Sequence, residues 1–243
     1  MKLLCAATIL ASLILTIPGY AKEKQSSEVV DSGSFGVFTS GHRVATETFS
    51  IKKGPEGTLV SSQFQSEQGE QKALQSSELD LTPSVELRRY EWKELSPEKT
   101  GATVVPNDTF LIERFGDNQN EKQHEQNFLL PASTSILDDY FFVQREVLAW
   151  KYLASVCRHD KGALQCPVKQ KTQFGTLNPH ARSSMPVSIE FIAREKLTLR
   201  NTEREFSRFL LRSETGDWAF WLDDEFKLVR LLADGQGTEV VRD

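Results

Sequence analysis

The sequence predicts a mainly β protein: a curved antiparallel sheet, half-barrel or barrel-like, with one long amphipathic helix packed on its concave side. Three observations carry this expectation. Glycine and proline recur about 10–17 residues apart through much of the chain, as in short strands joined by turns. Between those punctuation points apolar and polar residues alternate with the period of a strand. One central window, free of both glycine and proline, carries a helical period instead. Many consecutive strands with few helices argue for an antiparallel sheet rather than a doubly wound α/β fold. About ten twisted strands cannot stay flat, so such a sheet curls, and an amphipathic helix can fill its concave side.

The chain opens with Lys2 and an apolar run from Leu3 to Ile17, broken by Pro18 and Gly19. Gly19-Tyr20-Ala21 then places small residues where a signal peptidase reads them. The run of about 15 residues is short for a bilayer span of about 20. Residues 1–21 are therefore expected to be a cleaved signal peptide, with an uncleaved anchor as the rival reading. Residues 22–32 are polar and read as a flexible N-terminal arm, and 33–243 as a single β-rich domain. No later apolar run is long enough to span a membrane, so the processed chain is expected to be secreted and, most simply, periplasmic.

The strands follow in order. His42–Lys52 is rich in Val and Thr, with Phe49 and Ile51 alternating against Thr48 and Ser50. Val60, Ser62 and Phe64 share a face, as do Tyr90 and Trp92, and Phe110 and Ile112. Gly116-Asp117-Asn118-Gln119-Asn120 reads as a polar turn before a return strand over Glu121–Leu130. The helix is expected from about Thr134 to Ala154, capped by Ser133, Thr134 or Ser135, with Asp138 and Asp139 in its first turn against the dipole. Its broad apolar arc holds Leu137, Tyr140, Phe141, Val147, Leu148, Trp150 and Tyr152. The stretch from Pro167 to Met185 is polar and reads as a long loop. Val187, Ile189, Phe191 and Ala193 then alternate cleanly against Ser188, Glu190 and Arg194. Trp218, Phe220 and Leu222 share a face of a later strand, and Thr238–Val241 closes the chain.

Cys5 leaves with the signal, so Cys157 and Cys166 remain as an even pair in an oxidising compartment. A disulfide leads over free thiols there. A zinc site is the third option, because His159 is close, but zinc wants four ligands in paired spacings.

Lys and Arg total 29 against 34 Asp and Glu, a net charge of −5. That balance argues against a nucleic-acid partner, which needs a basic surface to release counterions. Catalytic motifs are weak. Gly33-Ser34-Phe35-Gly36 lacks the spacing of a nucleophile elbow, and Gly235-Gln236-Gly237 precedes no helix that would take a phosphate. His42, His124, His159 and His180 lie in polar stretches and form no H-x-x-x-H pair, so no metal and no cofactor is expected. Asp138-Asp139 and Asp223-Asp224-Glu225 can supply paired carboxylates, but helix-dipole and turn chemistry account for both.

Gly33-Ser34-Phe35-Gly36-Val37-Phe38 and Gly41-His42-Arg43-Val44-Ala45-Thr46-Glu47-Thr48-Phe49 resemble the opening hairpin of uncharacterised bacterial envelope proteins with a signal peptide. Leu87-Arg88-Arg89-Tyr90-Glu91-Trp92 and Trp221 to Arg230 are similar to that group too. Such domains resemble, in fold, the lipoprotein-localisation-factor half-barrels of the periplasm, whose concave side holds an acyl chain. The resemblance implies a curved sheet and an apolar ligand, and carries over no catalytic residue.

The leading expectation is a non-catalytic envelope protein that binds a hydrophobic or lipidated ligand. Phe141, Leu148, Trp150 and Tyr152 on the helix arc are the candidate ligand-lining residues, although core packing is the leading reading of that face. A structural or partner-binding envelope protein with a filled core is the second expectation. A hydrolase using paired carboxylates is the third, and it would need carboxylates and a His converging in one cleft.

Overall fold

The computed structural model describes residues 27–67, 72–117, 124–160, 163–199, 201–235 and 237–243. The expected signal peptide, 1–21, and residues 22–26 of the arm lie outside these. The first half of the chain is a run of antiparallel strands: β1 (Glu28–Thr39), β2 (His42–Gly54), β3 (Gly57–Ser66), β4 (Leu74–Leu81), β5 (Leu87–Ser96), β6 (Thr100–Asn107), β7 (Phe110–Asp117) and β8 (His124–Phe128). A short strand β9 (Ser135–Ile136) and one α-helix, α1 (Val143–Val156), follow. A small hairpin comes next, β10 (Arg158–Asp160) with β11 (Ala163–Gln165). The second run is β12 (Lys171–Asn178), β13 (Ser183–Leu199), β14 (Thr202–Ser213), β15 (Gly216–Leu222), β16 (Leu228–Ala233) and β17 (Thr238–Arg242).

The two runs are halves of one large curved sheet, ordered β8-β7-β6-β5-β4-β3-β2-β1-β17-β16-β15-β14-β13-β12-β9 and not closed into a barrel. The first and last strands meet in the middle, with Phe35 opposite Arg242 and Val37 opposite Val240. Among the described residues every pairing is antiparallel except β9 with β12, where Ser135 faces Thr176. Residues 132–136 also reach the other wing, since the Leu87 N–H donates to the Ala132 carbonyl at 2.8 Å. Alternation decides which face is buried. On β2, Glu47, Phe49 and Ile51 are buried, as are Thr58, Val60, Ser62 and Phe64 on β3. Gly57 opens β3 at a φ of 136°, where a Cβ would collide with the Leu81 carbonyl, so glycine alone fits between these strands. A second, smaller apolar cluster of Phe206, Trp221 and Val229 lies apart from the main core. The Arg208 and Arg230 guanidiniums stack on the Trp221 ring at 5.6 and 5.1 Å, covering it with charge.

Among the described residues the architecture is mainly β with one helix, as expected, but the helix is not long. It spans 14 residues and starts at Val143, nine positions after Thr134. Ser133, Thr134 and Ser135 do not cap it, and Asp138 and Asp139 precede it. The reason is long-range: the Glu47 carboxylate on β2 accepts the N–H groups of Phe142 (2.7 Å) and Val143 (3.4 Å), capping the helix from 95 residues away. The segment before it is tied in another conformation, because the Asp138 N–H donates to Gln144 and the Tyr140 N–H to Asp138.

Two other expectations change. Glu28–Ser32, assigned to the arm, form the start of β1, where buried Asp31 meets Arg242 at 2.6 Å. The stretch read as a loop from Pro167 to Met185 contains β12, whose Phe174 pairs with Val187 and Thr176 with Met185. Cys157 and Cys166 are joined in a disulfide across the base of the β10–β11 hairpin.

Candidate functional site

A groove of about 540 Å³ runs between the C-terminal half of α1 and the nearby ends of β1–β4. Val30, Leu81, Val85, Val147, Trp150, Leu153, Leu164 and Phe226 give it an apolar lining. Its polar members are Lys53, Thr58 and Glu225. Helical spacing puts Val147, Trp150, Leu153 and Ala154 on one stripe of α1, and that stripe forms one wall. The disulfide keeps Cys157 and Leu164 at one end of the same groove.

Two lining residues carry backbone strain. Val85 and Phe226 both have a φ of 62°, a left-handed conformation that a β-branched or bulky residue adopts at a cost of about 1–3 kcal/mol. Turn hydrogen bonds hold each one. The Val85 N–H donates to Thr82 and the Thr82 N–H to Glu86, both at 2.9 Å. At the other turn the Phe226 N–H donates to the Asp223 carbonyl. The Asp223 carboxylate accepts the N–H groups of Glu225 and Lys227. The Phe226 carbonyl in turn accepts the Trp150 indole N–H at 2.7 Å, which fixes the indole against the groove.

Of the four residues singled out in the sequence, Trp150 lines the groove and is partly exposed. Phe141, Leu148 and Tyr152 are fully buried in the main core and do not line it. Tyr152 bonds outward from α1, donating to the Gln170 carbonyl at 3.0 Å and accepting the Phe191 N–H at 3.2 Å. Val85 and Phe226 escaped notice because both sit in turns, where no period marks a residue. The Asp223-Asp224-Glu225 turn was the only nearby signal. Its carboxylates diverge: Asp224 pairs with Arg194 at 2.8 Å and Glu225 with Lys227 at 2.6 Å.

A second constellation is polar and buried. Asp138 accepts the Tyr90 hydroxyl at 2.7 Å and lies 2.6 Å from Nδ1 of His180. Nε2 of His180 is 3.1 Å from the Gln75 amide oxygen, and its ring stacks on Trp92 with centroids 3.7 Å apart. Sequence placed His180 in polar surroundings; the turn between β12 and β13 instead folds it over the β4 and β5 wing. A carboxylate and a His do converge here, but the far His nitrogen meets Gln75 rather than a nucleophile. Asp139 points to a different surface hollow with Arg145 and Thr176, so Asp138 and Asp139 do not form a catalytic pair.

Three buried carboxyls complete the electrostatics. Burial pushes Glu47 up to about 7 despite its bonds to Ser62, Phe142 and Val143. Burial likewise raises Glu113 to about 7; Arg182 opposes the shift and Asp138 adds to it. Both Glu113 oxygens lack a hydrogen-bond partner among the described residues. Glu146 is raised well above the carboxylate range by burial and then by the Asp31 charge, while it accepts the Leu228 N–H at 2.9 Å. Among the described residues no group of three or more His, Cys, Asp or Glu is placed to hold a metal ion. No helix among them is long and apolar enough to cross a membrane.

No protein-family model matches the chain, and no curated protein matches it. Two solved structures are similar. One is a beta-barrel-like protein of the domain of unknown function DUF1849 from Brucella abortus; it is 7% identical, with a TM-score of 0.55 over 89% of this chain and 97% of that one. The other is a DUF1089 family protein from Pseudomonas aeruginosa, 9% identical, with a TM-score of 0.43 over 93% of this chain and 98% of that one. The first of these shows that the chain shares a β-barrel-like fold with a protein of unknown function.

Proposed function

We propose that the protein is a non-catalytic cell-envelope protein that binds an apolar ligand in the groove between α1 and β1–β4. The observation that carries this reading is the pair of left-handed residues, Val85 and Phe226, in the lining of one apolar groove. Strain of this kind persists only where the surroundings impose it, and it gathers at ligand clamps. The groove's volume and largely apolar lining match those of small-molecule sites. An envelope location rests on Lys2, the apolar run Leu3–Ile17 and Gly19-Tyr20-Ala21, with the disulfide suiting an oxidising compartment.

In this reading α1 sits in the concavity of the sheet and forms one wall of the site. Its hydrogen bonds to several strands support that placement: Glu47 on β2 at its start, Leu228 on β16 through Glu146, and Phe191 on β13 through Tyr152. A relation to the lipoprotein-localisation half-barrels is part of the proposal and rests on the sequence resemblance. The Asp138–His180 pair supports a structural role better than a hydrolytic one, because its hydrogen bonds are internally satisfied.

The test is titration of N-phenyl-1-naphthylamine, a neutral apolar fluorophore, into the wild type and Phe226→Ala. Saturable binding by the wild type, weakened about tenfold in a variant with an unchanged far-ultraviolet spectrum, is the expected result. Absence of saturable binding by the wild type would refute the assignment.

A further inference from the structure

We propose that the ligand of this groove is a single-chain amphiphile with a carboxylate head, a free fatty acid, whose head lies at Lys53; this rests on the groove being a ligand site. Lys53 falls on the same side of β2 as buried Ile51 and lines the groove beside Thr58, its cross-strand partner on β3. Its ammonium has no salt-bridge partner within 4 Å among the described residues, whereas the other charges at this mouth are neutralised locally. Glu225 is paired with Lys227 at 2.6 Å, and Asp31 with Arg242 at 2.6 Å. Glu28 stands opposite Lys53 on β1 but is exposed and does not line the groove.

The uncompensated charge of the lining is therefore one cation at the edge of an apolar trough. A lysine keeps its ammonium in water while its methylenes lie along apolar surface, and that geometry matches an alkyl chain ending in an anion. The trough's volume of about 540 Å³ is that of a single small ligand. A carboxylate accepts hydrogen bonds from an ammonium and from a hydroxyl such as that of Thr58.

The experiment is calorimetric titration of the wild type, Lys53→Gln and Lys53→Glu with dodecanoate, dodecyl maltoside and dodecyltrimethylammonium, each below its micelle concentration. Lys53 is exposed, and unliganded melting temperatures check that the variants fold. The expected result is that the wild type prefers dodecanoate and that Lys53→Glu weakens dodecanoate about tenfold. A smaller loss is expected in Lys53→Gln, with dodecyl maltoside unaffected in both. Equal affinity for the three head groups, or dodecanoate binding unchanged in Lys53→Glu, overturns the carboxylate assignment and leaves the groove reading intact. Binding to phosphatidylglycerol vesicles without capture of dodecanoate overturns it as well. Failure of all three alkyl probes to bind overturns the groove reading itself.

Discussion

Glu47 is a strand residue that does the work of a helix cap. Its carboxylate takes up two N–H groups that α1 would otherwise leave buried without partners, and a third bond comes from the Ser62 hydroxyl at 2.6 Å. Removing a cap costs about 0.5–2 kcal/mol, and orphaning a buried donor costs about 1–3 kcal/mol. Glu47→Ala is therefore expected to lose about 2–4 kcal/mol, read as a lowered urea midpoint with an unchanged slope. Glu47→Gln keeps an acceptor and sheds the buried charge, so its loss should be smaller. Equal losses in the two variants would mean that both carboxylate oxygens are needed as acceptors, since Gln keeps the side-chain volume but only one of them.

At the scale of elements, α1 is held by its core face and by its covalent exit. Leu148 is buried among core side chains, so Leu148→Ala should cost about 2–5 kcal/mol in denaturant unfolding. The disulfide closes a short loop directly after the helix, and replacing both cysteines with serine should cost about 2–3 kcal/mol. That variant should also bind the apolar fluorophore less tightly, because Cys157 and Leu164 line the groove. Much at this scale was legible in the sequence. Strand alternation placed Phe49, Ile51, Val187 and Ile189 on buried faces, and cysteine parity identified the Cys157–Cys166 pair. The start of α1 was not legible, because its cap comes from 95 residues away while local Ser, Thr and Asp imitate a capped start. β12 was missed because Gly175 and neighbouring polar residues resemble a loop until paired with β13. Of the site, Val147 and Trp150 were visible through helical spacing and Cys157 through cysteine parity; Val85 and Phe226 are defined by backbone conformation.

For the whole molecule, the buried carboxyls set a pH dependence. Glu47 and Glu113 are each raised from 4.5 to about 7, chiefly by burial, so the folded chain binds these protons more tightly than the unfolded chain does. Their contribution to stability is fully present below about pH 4.5 and is lost as the pH rises through about 7. Urea midpoints measured from about pH 5 to about pH 8 should show this fall more steeply in the wild type than in Glu47→Gln or Glu113→Gln. Identical slopes would mean that these groups ionise as they do in the unfolded chain. The central claim, that the groove between α1 and β1–β4 holds an apolar ligand, is tested most directly by native mass spectrometry of protein isolated from envelope extract. The account predicts a wild-type adduct with the mass of one alkyl-chain ligand, displaced by dodecanoate and diminished in Phe226→Ala. A wild-type protein that carries no adduct and takes up no alkyl-chain ligand when supplied would contradict it.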